Sequence, residues 1–439
     1  MNTEHRRHSA SAYSTQTSTR RRFLTKVGAA AAAGALAPRL SPALFAAAPP
    51  PKKVAAIVTV YHHNSHADVI ASKLLQGFNL DFKEPRPNLQ LVSLYMDQIH
   101  EKDIGKKLAA DNNVRLCDTI ADALTLGGDK LAVDAVLLIG EHGKYPLSDI
   151  GQILYPRRRF FEETVAVFRR SGRVVPVFSD KHLASNWTDA KWMHDTAREL
   201  KIPFMAGSSV PGTWRHPALE MKLGARAKEA VALSYGPIEG YAYHGLEALQ
   251  CLVERRKGGE TGVKAVQFVE GAEVWKARDA GRFDETVFVA AAAGREAKGR
   301  FKGEFKDAIK PAAFFIEYRD GFRAVMLHDT GSANSEWVVA WSEQGRKEHE
   351  ATSFWTQEAR PFAHFTLLVQ GIEKMFHTGK PTWPSERTLL TTGVLHSIFV
   401  SRQRGGERIE TPHLDVKYQP TFTWKDPGPP APGRPLQEQ

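Results

Sequence analysis

Cysteine is almost absent: Cys117 and Cys251 are the only two in 439 residues. That excludes a disulfide framework and a zinc site built on cysteine, and leaves two small core hydrophobes. Long apolar runs are also lacking. The alanine-rich stretch from Val27 to Ala37 is too short to cross ~30 Å of hydrocarbon as a stable helix, so no stable membrane span is expected. Positive charge is in excess, at +10, but much of it lies in residues 1–26, where Arg6, Arg7, Arg20, Arg21, Arg22 and Lys26 face a single acid, Glu4. No dense basic stripe interleaved with aromatics follows, which argues against nucleic acid as a partner. A fourth absence is the most specific. No glycine occurs between Lys53 and Gly77, the stretch in which the first strand turns into the first helix. A glycine-rich phosphate loop of the G-x-G-x-x-G type is therefore excluded there.

What is present bounds the protein further. The length leaves room for two domains. A hydrophobic content of 42% and a charged content of 25% are ordinary for a soluble globular chain. Arg20-Arg21-Arg22-Phe23-Leu24 precedes the mildly apolar Val27–Ala37 and small-residue cleavage signals at 35–37 and 46–48. This matches a twin-arginine export signal over residues 1–48. The expectations are a periplasmic or extracellular location, the twin-arginine translocation machinery as a partner, and export after folding. Residues 47–53, with three consecutive prolines, read as a linker.

The chain is organised around Val133–Gly140, an apolar run that stops in the polar loop Glu141-His142-Gly143. A strand buried on both faces of a parallel sheet reads this way. Similar runs occur at Val54–Val60, Leu89–Met96 and Val174–Phe178, with helix-like segments between them. The first half is thus an α/β, doubly wound sheet, and ligands of such sheets sit just beyond the carboxyl ends of the strands. Those loops supply the candidates. After the first strand come Tyr61, His62, His63 and His66. They are open to three readings: polar or phosphate contacts, a metal, or a solvated turn. Asp97 ends the second strand and is open to two readings, an acid that accepts hydrogen bonds from a ribose and a helix cap or surface acid. Glu141 and His142 follow the third run. Asp180 and Lys181 follow the fourth, where a lysine can polarise a hydroxyl or carbonyl. The run Arg157-Arg158-Arg159 is open to two readings, a holder of an anionic group and, the favoured one, a solvated helix start. In the second half, strands are expected at 263–270, 286–292, 312–318, 323–327 and 337–341, with an Asp320-Gly321 hairpin turn. Helices are expected at 365–376 and 387–402, and a disordered tail from 425 to 439. His244 falls at the start of an amphipathic helix, where a neutral imidazole is favoured.

The order of these pieces resembles the Gfo/Idh/MocA oxidoreductase family. Phe178-Ser179-Asp180-Lys181-His182 is similar to the family's strand ending in Glu-Lys-Pro, with His182 at the proline position. Trp214-Arg215-His216-Pro217 is similar to the arginine and proline that follow the next strand. His244-Gly245-Leu246-Glu247 is similar to the later part of the catalytic Asp-x-x-x-His segment, with Gly240 at the aspartate position and Glu239 beside it. The resemblance implies an N-terminal Rossmann domain over 53–207. It also implies a C-terminal α/β domain over 208–424 with a large, mostly antiparallel sheet whose open face often serves in oligomerisation. It implies NAD or NADP and a sugar, polyol or related small-molecule substrate. Lys181 and His244 would move protons. Tyr61, His62, His63, His66, Asp97, Glu141, His142 and Asp180 would lie along the cofactor, and Trp214 and Arg215 along the substrate. No metal is assigned. The alternatives are a non-redox sugar-modifying enzyme and a non-catalytic binding protein on the same fold.

Overall fold

The computed structural model describes residues 50–296, 310–331 and 336–436. The expected export signal, residues 1–48, lies outside them. The first sheet comprises β1 (Lys52–Val58), β2 (Leu89–Met96), β3 (Arg115–Cys117), β4 (Ala135–Ile139), β5 (Val177–Asp180) and β6 (Phe204–Gly207). The helices between them are α1 (His66–Gln76), α2 (Gly105–Asp111), α3 (Ile120–Thr125), α4 (Arg157–Ser171) and α5 (Trp187–Glu199). All pairings are parallel, in the order β3-β2-β1-β4-β5-β6. The order reverses between β1 and β4, the position where such sheets bind ligands.

Strand periodicity explains the burial. Val54, Ala56 and Val58 pack into one core and Ala55 and Ile57 into the other, as alternating side chains must. The expected strands sit within a few residues of the observed ones. β5 is displaced the furthest, starting at Val177 because Pro176 has no N–H to give the ladder.

The second sheet adds β7 (Trp214–His216), β8 (Ala227–Tyr235), β9 (Val263–Glu270), β10 (Pro311–Tyr318), β11 (Arg323–Asp329), β12 (Trp337–Glu343), β13 (Glu350–Trp355) and β14 (Ile409–Glu410). Its order is β14-β9-β10-β11-β8-β12-β13-β7, antiparallel except for β11 beside β8. Helices α6 (Tyr243–Val253), α7 (Ala272–Asp279), α8 (Glu285–Glu296), α9 (Ala363–Thr378) and α10 (Ser385–Gln403) complete the chain.

Three expectations change here. Residues 286–292 form part of helix α8, not a strand. The β-branched Thr286, Val287 and Val289 suggest a strand, but Asp284 caps the turn through the Thr286 N–H at 2.8 Å, and Val287 and Ala291 fall on one helical face. That face, with Val274 and Phe283, covers Val231, Leu233, Val325, Leu327 and Val338. The sheet face that the family resemblance leaves open for self-association is therefore roofed by the chain's own helices. Next, α9 returns to the first sheet: Phe365, Leu368, Ile372 and Met375 share a core with β1 and α1. Last, the proline-rich tail is tied down as far as it is described. Trp214 Nε1 donates to the Gly428 carbonyl, Gln357 Nε2 to that of Ala431 at 2.6 Å, and Arg434 to that of Asn79 at 2.6 Å.

Candidate active site

The loops after β4 and β5 and the segment 237–241 that leads into α6 help wall a cleft of about 920 Å³. Its walls include Glu141, His142, Tyr155, Lys181, His182, Glu239 and Tyr241. Lys181 follows β5 directly. Its backbone is left-handed (φ +56°) and is held by its N–H on the Gly207 carbonyl at 3.1 Å. Asn64 (φ +64°) and His142 (φ +67°), in the loops after β1 and β4, share that conformation. Such backbone costs a non-glycine residue on the order of 1 kcal/mol or more and clusters at functional sites.

Lys181 Nζ donates to Glu141 Oε1 at 3.0 Å, and Arg157 Nη2 donates to Glu141 Oε2 at 2.6 Å. Burial alone would raise the Glu141 carboxyl; the Lys181 and Arg157 cations outweigh it and hold it well below the usual carboxylate range. The other guanidinium arm, Arg157 Nη1, reaches His182 Nε2 at 2.9 Å. Asp180 Oδ2 lies 2.7 Å from His66 Nδ1. His244 stands in the first turn of α6 with Nδ1 2.7 Å from the Ser208 hydroxyl. Burial, then the Lys181 ammonium, holds it well below the ordinary histidine range, so it is a neutral imidazole. Glu247, one turn further on, is fully buried and raised by that burial. It accepts from Thr391 at 3.0 Å. Gly207 (φ +125°) makes room for it: a Cβ there would meet Glu247 Oε2 at 2.7 Å.

The expected residues divide. Lys181, Glu141, His142, Asp180, His66 and His244 converge. His62 stays at the edge of that group, its ring 5.7 Å from that of His142 and 4.4 Å from that of His100. His63 is a partly exposed neighbour of Asp68, at 3.9 Å. Tyr61 is completely buried and spends its hydroxyl on Ser72 at 2.7 Å. Asp97 ends β2 as expected, but its carboxylate is already bound by Tyr95 and Tyr145, each at 2.8 Å, and by Arg159. Burial works to raise it, and those three donors bring it below the usual range. Trp214 and Arg215 lie away from the cleft. Arg215 is buried between the rings of Phe354 and Trp424. Among the described residues no group of three His, Cys, Asp or Glu side chains is placed to hold a metal ion, and no helix is long and apolar enough to cross a membrane.

Arg157, His182, Tyr155 and His364 were not among the candidates. Arg157 shows why the arginine run is misread. Arg158 stacks on Trp192 and Arg159 reaches Asp97, both partly exposed, while Arg157 alone turns inward to 2% exposure. One buried arginine in three looks like a solvated face in sequence.

Three desolvated histidines, His328 and His364 buried and His142 half-buried, carry a measurable consequence. Desolvation pushes His142 and His364 each down to about 3, and His328 to about 4. The unfolded chain takes up these protons near pH 6.5, while the folded chain resists until far lower pH. Stability is therefore fully present above about 6.5 and falls as pH drops toward the folded values, by roughly 1.4 kcal/mol per pH unit per histidine. Urea midpoints measured at pH 7, 6 and 5 should fall steeply below 6.5. A flat profile over that range would show that these imidazoles are solvated.

No family model matches the chain, and no curated protein matches it in sequence. Solved structures do match. GenD2 from gentamicin A biosynthesis, in complex with NAD, is 13% identical, with a TM-score of 0.54 over 82% of this chain and 96% of that one. A provisionally assigned myo-inositol dehydrogenase from Sinorhizobium meliloti is 12% identical, with a TM-score of 0.52 over 82% and 99%. A myo-inositol dehydrogenase from Corynebacterium glutamicum is 10% identical, with a TM-score of 0.50 over 82% and 98%. These neighbours are dehydrogenases of the Gfo/Idh/MocA type. At such identities the likeness establishes the fold: a Rossmann-like parallel sheet joined to a large, mostly antiparallel one.

Proposed function

We propose that this protein is an exported oxidoreductase of a sugar, polyol or related compound, with NAD or NADP held at the carboxyl edge of the first sheet. The observation that carries the reading is the buried Lys181–Glu141–Arg157 group opening on the cleft beside neutral His244. The neighbours named for NAD and for inositol support the cofactor and the substrate class. The export signal in the sequence supports export, and it matches a cofactor that is acquired in the cytoplasm and stays bound.

The residues present fit the nicotinamide end of such a cofactor. His142 Nε2 and Asp180 Oδ1 are buried polar atoms without partners, which a carboxamide or a ribose would satisfy. When bound, the dinucleotide would supply hydride transfer. The protein's own share is proton handling. Lys181 Nζ faces the substrate oxygen and Glu141 keeps that ammonium in place. Beside that ammonium, His244 adds a neutral group able to hold or pass a proton.

At the adenosine end the chain's own side chains compete. A ribose on Asp97 would have to displace Tyr145 or Arg159. The first turn of α1 is occupied as well, since Ser65 caps it and buried Asp68 takes the Asn64 N–H at 2.9 Å. These contacts favour, as a second reading, a non-redox enzyme using the same cleft for elimination, hydrolysis or isomerisation.

Protein purified from cells with the export signal intact in the gene separates the two. After denaturation, mass spectrometry should find NAD or NADP near one per chain. No dinucleotide, even after soaking with excess of both, would sink the redox reading and leave the second.

A further inference from the structure

His182 lines the cleft yet is only 1% exposed. Its Nε2 lies 2.9 Å from Arg157 Nη1. A guanidinium can only donate, so Nε2 is the acceptor and the ring hydrogen sits on Nδ1. Burial, then the Arg157 charge, lowers this histidine from its ordinary value and keeps the ring neutral, which agrees with that tautomer. Nδ1 is buried and has no partner. An N–H donor left in this state costs about 1–3 kcal/mol unless something accepts from it.

The charges around it set what that acceptor is. Lys181, Lys310 and Arg402 line the cleft, and Arg157 stands behind His182. Against them are Glu141, Glu239 and Glu270. Glu141 is shared between Lys181 and Arg157. Both Glu239 oxygens accept the Ile153 N–H, at 2.9 and 3.0 Å, and one lies 3.8 Å from His182 Nε2. Lys310 and Arg402 have no carboxylate partner among the described residues. The lining itself holds three cations against three acids, and Arg157 behind His182 adds one positive charge; Lys310 and Arg402 stand exposed, while Lys181 and Arg157 are buried.

We infer that His182 is a substrate-binding residue whose Nδ1–H donates to a carboxylate oxygen, and that the cleft takes an acidic sugar such as a uronate or an aldonate. This rests on the reading of the cleft as a substrate site for sugars. It narrows that reading to a charged class and assigns a residue that stands where the related family has proline.

The test is binding, measured by calorimetry on the purified, signal-processed protein with D-glucuronate and D-glucose as probes. Glucuronate should bind at least ten-fold more tightly. His182→Phe should remove most of that preference, and His182→Asn, whose amide N–H can take the place of Nδ1–H, should restore part of it. Equal affinity for the two sugars, or indifference to His182→Phe, overturns the inference. Should His182→Phe fail to fold, the ring N–H is followed by NMR in the unaltered protein with 15N-labelled histidine. Its resonance should move with glucuronate and stay still with glucose; no movement with glucuronate also overturns the inference. Dinucleotide content is measured on the same samples. A protein free of dinucleotide that still selects glucuronate through His182 would refute the redox reading while keeping this one.

Discussion

Lys181→Met is expected to slow turnover at the cleft by about 10²- to 10⁴-fold, with ligand affinity changed far less. The substitution removes the one cation that combines a strained backbone (φ +56°) with an Nζ at the cleft wall. It should leave the fold intact. Glu141 keeps Arg157 at 2.6 Å, so no buried carboxylate is stranded, and methionine follows the lysine stem closely in volume. The measurement is single-turnover reduction of bound nicotinamide by a panel of sugars, read by absorbance, beside calorimetric affinity for the same compounds. A fall in rate at constant affinity makes Lys181 a proton-handling group. A fall in affinity at constant rate makes it a binding contact, and the cleft would then draw its chemistry from His244 or elsewhere. The adjacent Asp180 serves as a contrast. Its bond to His66 orients a second group at the same strand end, so Asp180→Asn should produce a smaller loss.

Much of this site was legible because strand ends can be read from apolar runs. Glu141, His142, Asp180 and Lys181 each follow such a run, and the structure brings all four together. The partnership among them was not legible. Nothing in the spacing says that Glu141 pairs with Lys181, 40 positions away, or that Arg157 rather than Arg158 or Arg159 turns inward. Asp97 was placed correctly at the end of β2, but its three donors come from β2 itself, the loop after β4 and α4, a convergence created by the fold. Helix α8 was misread because β-branched residues and an alternating pattern are shared by a short strand and a helix that packs on a sheet. Strand β8, central to the second sheet, was missed altogether. Lys228 and Glu229 break its apolar run, although Glu229 is buried and pairs with Arg323 at 2.7 Å.

The largest loss of stability is expected from Arg387→Ala, at about 3–5 kcal/mol. Arg387 and Glu254 are each 1% exposed and form a two-pronged pair, Nε to Oε2 at 2.9 Å and Nη2 to Oε1 at 2.5 Å. Removing the arginine leaves Glu254 buried with the Tyr418 hydroxyl, at 2.8 Å, as its nearest remaining donor. A loss of that size is a large share of the 5–15 kcal/mol that a typical protein has in total. Urea unfolding checks it, and the double variant Arg387→Met with Glu254→Leu decides the cause. If the cost comes from the stranded carboxylate, the double variant should recover most of it, since an apolar pair of similar volume is often neutral or better. If it recovers little, the arginine acts by packing. The effect reaches the cleft through α10. On the turn after Arg387, Thr388 donates to the Ala206 carbonyl at 2.9 Å and Thr392 accepts the Leu183 N–H at 3.1 Å. Helix α10 thus pins the segment that carries Lys181 and His182. A variant that loosens the helix without unfolding it should weaken ligand binding before it lowers the midpoint, because the buried Arg387–Glu254 pair and the bonds to Ala206 and Leu183 lie on the same helix.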